Sequence, residues 1–208
     1  MPAVKPDSAW TCALLEQVRE GDRAALDQLL GRYRSDLRTF VDFHLDARLR
    51  ARVDASDVVQ EAQLEVARRM DDFLDRRPMP FHLWIRKTAY ERLLNARRDH
   101  RHRARRSVDR EQPLPERSSL LLARPLVSGG PSPSQHLEAK EFAERVSRAV
   151  ADLADDDREV LLMRHAEDLS YDEIACLVEI EPAAARKRYG RALIRLQKVL
   201  AAHGLLGE

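Results

Sequence analysis

The chain has only two cysteines, Cys12 and Cys176, far apart and without a CxxC or Cys/His spacing. That argues against a zinc site and against a disulfide framework, and it fits a reducing compartment. Aromatic residues make up 5% of the 208 residues, whereas charged residues make up 34%. So few large rings argue against a β-rich core and for small helical domains with amphipathic faces. No apolar run approaches the length of a membrane span, and the opening "MPAVKPDSAW" lacks the apolar core of a signal peptide. A soluble cytoplasmic protein without membrane insertion is expected. Net charge is nearly absent too, because Lys+Arg 36 against Asp+Glu 35 leaves +1. The total therefore selects no partner, but the basic residues cluster while the acidic ones lie elsewhere.

What is present is helical periodicity. A first short helix is expected from about Ser8 to Glu20, with Leu14, Leu15 and Val18 inward and Gly21 ending it. From Asp22 onward Leu26, Leu29, Leu30, Tyr33, Leu37, Phe40, Val41 and Leu45 keep the i, i+3, i+4, i+7 pattern of a long amphipathic helix. In "DASDVVQEAQLEVARRM", Val58, Val59, Ala62, Val66, Met70 and Phe73 share one stripe at about 100° per residue. Asp57 with Gln60 fits a capping box, which places the helix start at the aspartate. Leu64 falls on the opposite side, among Asp57, Gln60, Glu61 and Arg68. An apolar anchor inside an acidic and amide ring is the layout of a docking site for another protein, and a scattered surface leucine is the alternative.

Pro78 and Pro80 force a turn, after which Phe81 opens the helix "FHLWIRKTAYERLLNARRDHRHRARR". Phe81, Trp84, Ile85 and Ala89 are expected inward. Arg86, Tyr90 and Arg97 are expected outward, with Lys87 and Leu94 beside them. Rings interleaved with arginines suit unstacked bases, since a ring stacks on any base while arginines hold the backbone. Between Ser107 and Gln135, five prolines with Gly129 and Gly130 mark a linker, which still carries the apolar "LLLARPLV".

Helical periodicity returns at His136. Leu137, Phe142, Val146, Val150 and Leu153 outline one helix, and "DDDREVLLMRHA" another with aspartates at its N-terminus. "SYDE" is a capping box for a short helix holding Ile174, Ala175, Leu177 and Val178. Glu179 to Glu181 form a tight connection, and Pro182 suits the first turn of a final helix. That helix is expected to bury Ala185, Tyr189, Ala192, Leu193, Leu196 and Leu200, and to present Arg186, Lys187, Arg188, Arg191 and Arg195. A short capped helix, a tight turn and a basic helix make a helix-turn-helix, whose second helix enters the major groove. Ala183, Ala184, Arg186 and Lys187 would face bases, while Arg188 and Arg191 suit phosphates.

In this order and spacing, "DASDVVQEAQLEVARRM", "PFHLWIRKTAYERLLNARR", the Pro-rich linker and "LADDDREVLLMRHAEDLSYDEIA" with the basic final helix resemble a known family. It is that of the extracytoplasmic-function sigma factors of bacterial RNA polymerase, within the sigma-70 family. The resemblance spans nearly the whole chain and implies an all-α protein of two small helical domains. Residues 8–106 would be a region-2-like domain that binds the polymerase clamp and melts the −10 element. Residues 107–136 would be the linker, and 137–203 a region-4-like helix-turn-helix that reads the −35 element.

By this resemblance Asp57, Gln60, Glu61, Leu64 and Arg68 contact polymerase. Arg86, Lys87, Tyr90, Glu91, Leu94, Arg97 and Arg98 meet −10 DNA, and Ala183, Ala184, Arg186, Lys187, Arg188 and Arg191 meet −35 DNA. The implied partners are core RNA polymerase, promoter DNA and, as an optional third, an anti-sigma factor. No cofactor, metal or catalytic residue is implied. Glu91 stands where many relatives carry asparagine, Asn95 where an aspartate is common, Glu179 at the usual turn glycine and Glu181 at the usual serine cap.

A conventional helix-turn-helix regulator would explain the C-terminal half equally well, but neither Tyr90 among arginines nor Leu64 among acids. An enzyme would have to use Asp155, Asp156 and Asp157, which read as helix-start residues, or His100 and His102, which lack a nucleophile or ligand partner.

Overall fold

The computed structural model describes residues 4–45, 50, 52–104, 145–146, 149–150 and 152–205. Among them all regular structure is helical, in two compact units. The first holds α1 (Ala9–Arg19), α2 (Arg23–His44), α3 (Ala55–Arg68), α4 (Met70–Arg76) and α5 (Phe81–Ala104). The second holds α6 (Asp155–His165), most of α7 (Tyr171–Val178) and α8 (Pro182–Ala202). The expected linker over 107–136, its apolar "LLLARPLV" included, lies outside the described residues, as do Leu137 and Phe142.

Side-chain caps set the early helix starts. Ser8 accepts from the Thr11 N–H at 3.2 Å to open α1, and Gly21, at φ +92°, makes the left-handed turn that ends the α1 connection. Asp22 then accepts from the N–H groups of Ala24 (2.8 Å) and Ala25 (3.3 Å) to open α2. The third helix begins earlier than the expected start at Asp57. Asp54 is its cap, accepting from the Ser56 N–H at 2.7 Å, and Asp57 lies in the first turn, where its charge suits the helix dipole.

The apolar stripe of α3 also does not continue through one helix to Phe73. The chain breaks at Arg69, which ends α3 and opens α4, and Arg77 closes α4 in a left-handed conformation (φ 38°) just before Pro78. The break lets Phe73 stack on Trp84 of α5 (4.4 Å between centroids, 23° between planes). Phe81 completes this cluster, edge-on to Phe73 and to Tyr33, each at 5.5 Å.

The start of α5 is capped from far away in the chain. Asp7 accepts from the backbone N–H of Phe81 (2.6 Å) and of His82 (3.1 Å), and meets His82 Nδ1 at 2.9 Å. Two of the four unpaired N–H groups of the helix start are thus satisfied by a residue 74 positions before Phe81. Burial pushes the Asp7 carboxyl up, but hydrogen bonds from the His82 ring and the two backbone N–H groups outweigh it and hold its pKa below the ordinary value. A carboxylate whose pKa is lower folded than unfolded contributes stability above its unfolded value, and that contribution is lost as pH falls through the folded one. Asp7→Ala should cost about 1 kcal/mol at neutral pH. In thermal melts the gap between variant and parent should narrow once pH drops below about 4.

In the second unit the core gathers Val146, Ala149, Val150, Leu153, Val160 to Met163, Leu169, Ile174, Ala185, Ala192 and Leu200. The capping box forms as expected: Ser170 N–H donates to Glu173 Oε2 at 2.8 Å, and Glu173 N–H donates to Ser170 Oγ at 3.2 Å. Asp157, buried in the first turn of α6, accepts from Arg195 of α8 at 2.5 Å and ties the two helices together. Glu179 adopts the left-handed conformation (φ 55°) that favours glycine, and Glu181 caps α8 without a side-chain hydrogen bond. Leu193 is not core as expected. It is 38% exposed beside Ile194 at 55%, because only Ala185, Ala192 and Leu200 of α8 are fully buried in the described unit.

Candidate nucleic-acid and protein interfaces

The α3 face is built from residues that the core does not use. Val58, Val59, Ala62 and Val66 turn inward, and Gln63 donates to the Leu30 carbonyl of α2 at 2.7 Å, which fixes the rotation of the helix. That rotation leaves Leu64 52% exposed, with Asp57, Gln60, Glu61 and Arg68 exposed around it. Glu65, half-buried, links the face to α5 through Arg92 at 3.4 Å and lies 3.8 Å from Arg68. Beside it a cleft of about 560 Å³ between α3 and α5 brings Asp57 and Glu61 together with Asn95 and Arg98. Arg52 and Arg92 also line this cleft and were not among the expected site residues. For Arg92 a signal exists, since Arg92, Asn95 and Asp99 recur at i, i+3, i+7. Arg52 precedes α3 with no periodicity to mark it.

The α5 face differs from expectation at two positions. Tyr90 is not outward: it is 7% exposed, edge-on to Phe40 at 6.4 Å and to His44 at 6.1 Å, both on α2. Arg97 is not outward either. It is 5% exposed and donates to the backbone carbonyl of His44, where a cation meets the negative end of the α2 dipole. The reason is that α5 packs on both α2 and α3, so its buried arc is wider than one stripe. Leu83, Tyr90 and Arg97, seven apart, form a second buried line next to Phe81, Ile85 and Ala89.

Arg86 is half-buried with its guanidinium 5.3 Å from the centre of the Phe40 ring. Lys87, Glu91 and Leu94 are also half-buried, and Arg98 and Asn95 are exposed. Glu91 lies 3.6 Å from Arg69.

On α8, Ala183, Arg186, Lys187 and Arg191 are exposed, while Ala184 and Arg188 are half-buried. These residues occupy the first three turns, the end that a helix-turn-helix offers to base edges. Tyr189 is half-buried and its hydroxyl lies 2.8 Å from His165 Nε2. Burial, then the charge of Arg164, holds the His165 pKa below its ordinary value. The imidazole is accordingly neutral at pH 7.

Residues 143–196 match the family described as Sigma-70, region 4. Over 184 residues the chain is 27% identical to the ECF RNA polymerase sigma-E factor of Escherichia coli (strain K12), a match covering 86% of this chain and 88% of that protein. It is 29% identical over 189 residues to the RNA polymerase sigma-H factor of Pseudomonas aeruginosa, covering 90% and 92%. Two solved structures share the fold. CnrH in complex with the cytosolic domain of CnrY gives a TM-score of 0.58 at 21% identity over 93% of this chain and 99% of that one. The sigma factor RpoE in complex with the anti-sigma factor NepR from Bartonella quintana gives 0.56 at 19% identity over 84% and 96%. With a region-4 helix-turn-helix at its C-terminal end and likeness along nearly its whole length to such proteins, the chain belongs to the extracytoplasmic-function group of the sigma-70 family and is a non-enzymatic RNA polymerase sigma factor that directs transcription initiation.

Proposed function

We propose that the chain works in the cytoplasm through three faces. The α3 face, with Leu64 inside Asp57, Gln60, Glu61 and Arg68, docks on core polymerase. The outward part of α5, Arg86, Lys87, Glu91, Leu94 and Arg98, meets −10 DNA as it melts. The start of α8 reads the −35 duplex, with Arg186 and Lys187 at bases and Arg188 and Arg191 at phosphates. The observation that carries this reading is Leu64, since a duplex-only regulator has no use for a half-exposed leucine ringed by acids and amide. Action in the cytoplasm is supported by the similarity to RNA polymerase sigma factors. An anti-sigma factor is a further partner to test, since RpoE of similar fold is held by one.

The experiment is transcription in vitro. Core polymerase should gain runoff transcripts from a genomic library when the chain is added. Duplex binding without polymerase, and no new transcripts, would favour a conventional regulator. Arg188→Ala and Arg191→Ala should weaken use of all promoters alike and flatten the salt dependence by roughly one unit of slope per lost contact. Changes at Arg186 or Lys187 should instead alter which −35 sequences are preferred, and one uniform loss from all four would refute the division of roles.

A further inference from the structure

The helix-turn-helix contains an aromatic column that neither its core nor its capping requires. Tyr171, half-buried, opens α7, and two guanidinium groups approach its ring: Arg186 of α8 at 5.3 Å from the centroid and Arg164 of α6 at 5.7 Å. Arg164 is already committed, donating to the Leu169 carbonyl at 3.0 Å and to Asp168 at 3.2 Å. Arg186 is exposed, and the Tyr171 ring is the surface beneath its charged end. The ring is itself braced: Tyr189 meets it edge-on at 5.7 Å, and the Tyr189 hydroxyl is tied to His165 at 2.8 Å. Since His165 is neutral, the column adds no further positive charge to repel Arg186.

An exposed arginine samples many rotamers, and fixing one of them against a base costs entropy. A guanidinium resting on a π face has part of that ordering done before DNA arrives. We propose that Tyr171 is a positioning residue for promoter reading, its ring, braced by Tyr189 and His165, presetting the direction in which Arg186 meets the −35 duplex. The inference rests on the reading of α8 as the recognition helix. It adds a residue from outside that helix to the determinants of sequence preference.

The test uses holoenzyme assembled from core polymerase and the full chain, on a promoter obtained from the runoff experiment with its −35 element randomised. Arg186→Ala should reduce discrimination at the bases it reads by about fivefold or more. Tyr171→Leu should reduce discrimination at those same bases by roughly threefold, the size of one exposed cation–π contact. Tyr171→Phe, which keeps the ring, should behave as the parent, and the double variant should be no worse than Arg186→Ala alone. A merely structural role for Tyr171 would weaken all positions equally instead of those read by Arg186, and that result overturns the proposal. If Tyr171→Leu does not fold, Tyr171→Gln and Tyr171→Trp carry the same comparison, with loss expected for the first and retention for the second. Should Arg186→Ala leave the preference intact, Arg186 is not a base-reading residue and the proposal falls with that assignment. Should Arg186→Ala change the preference while Tyr171→Leu does not, the recognition helix stands and only the role of Tyr171 is refuted.

Discussion

Tyr90→Ala should unfold the first unit at a much lower temperature than the parent. The ring is packed between α5 and α2 against Phe40 and His44, and two neighbouring arginines complete the same seam, Arg86 over Phe40 and Arg97 on the His44 carbonyl. Truncating a buried aromatic side chain leaves a cavity and typically costs about 3 kcal/mol or more. In a unit of this size that amounts to a fall of roughly 10 °C or more in Tm. Calorimetry of the free chain checks it, and an unchanged first transition would mean that the ring contributes nothing to packing. Tyr90→Phe, which retains the ring, should melt near the parent. Because the cost arises in the free protein, Tyr90→Ala should also lower polymerase binding and promoter opening together. A direct stacking role would impair opening alone.

Leu64→Arg should do the opposite, leaving the fold intact and removing the partner. The side chain is 52% exposed, on the side of α3 away from buried Val58, Val59, Ala62 and Val66, so the melting curve should stay within about 0.5 kcal/mol of the parent. Affinity for core polymerase should fall by about 2 kcal/mol or more, roughly thirtyfold, as expected when a central apolar anchor is replaced. Titration of labelled chain into core enzyme measures it directly. Equal affinity of variant and parent would assign the docking surface elsewhere.

The two substitutions mark where residue patterns were legible. Leu64 was readable because the buried residues of α3, Val58, Val59, Ala62 and Val66, keep to a single stripe, which decides which side chains face out. The capping box of α7, the glycine turn after α1 and the proline at the start of α8 were readable for a related reason: their causes lie within four residues. Tyr90 and Arg97 were misplaced because α5 buries two lines of residues, and periodicity along one helix does not state how wide an arc its neighbours cover. The break at Arg69 left no trace either, since Met70 and Phe73 continue the α3 stripe in phase. Leu193 shows the converse limit. Ala185 and Ala192 are buried, whereas Leu193, next to Ala192 in sequence, stays partly uncovered.

Asp7 was invisible for another reason, the distance along the chain between a cap and its helix, and that distance bears on biosynthesis. At translation speeds of roughly 5–20 residues per second, the carboxylate waits about 4–15 s for the helix start it caps to be made. The α5 helix, whose Phe81, Trp84 and Leu93 line the core, follows still later. Nascent α1 to α4 must therefore wait at the ribosome with part of their apolar faces uncovered, until nearly half of the chain has been synthesised. In the second unit the tie between α6 and α8 waits less, because Asp157 and its partner Arg195 are 38 residues apart. Synonymous codons that slow elongation within the second unit, once α5 has cleared the ribosome, should raise the yield of folded protein, whereas a pause before residue 81 should raise aggregation.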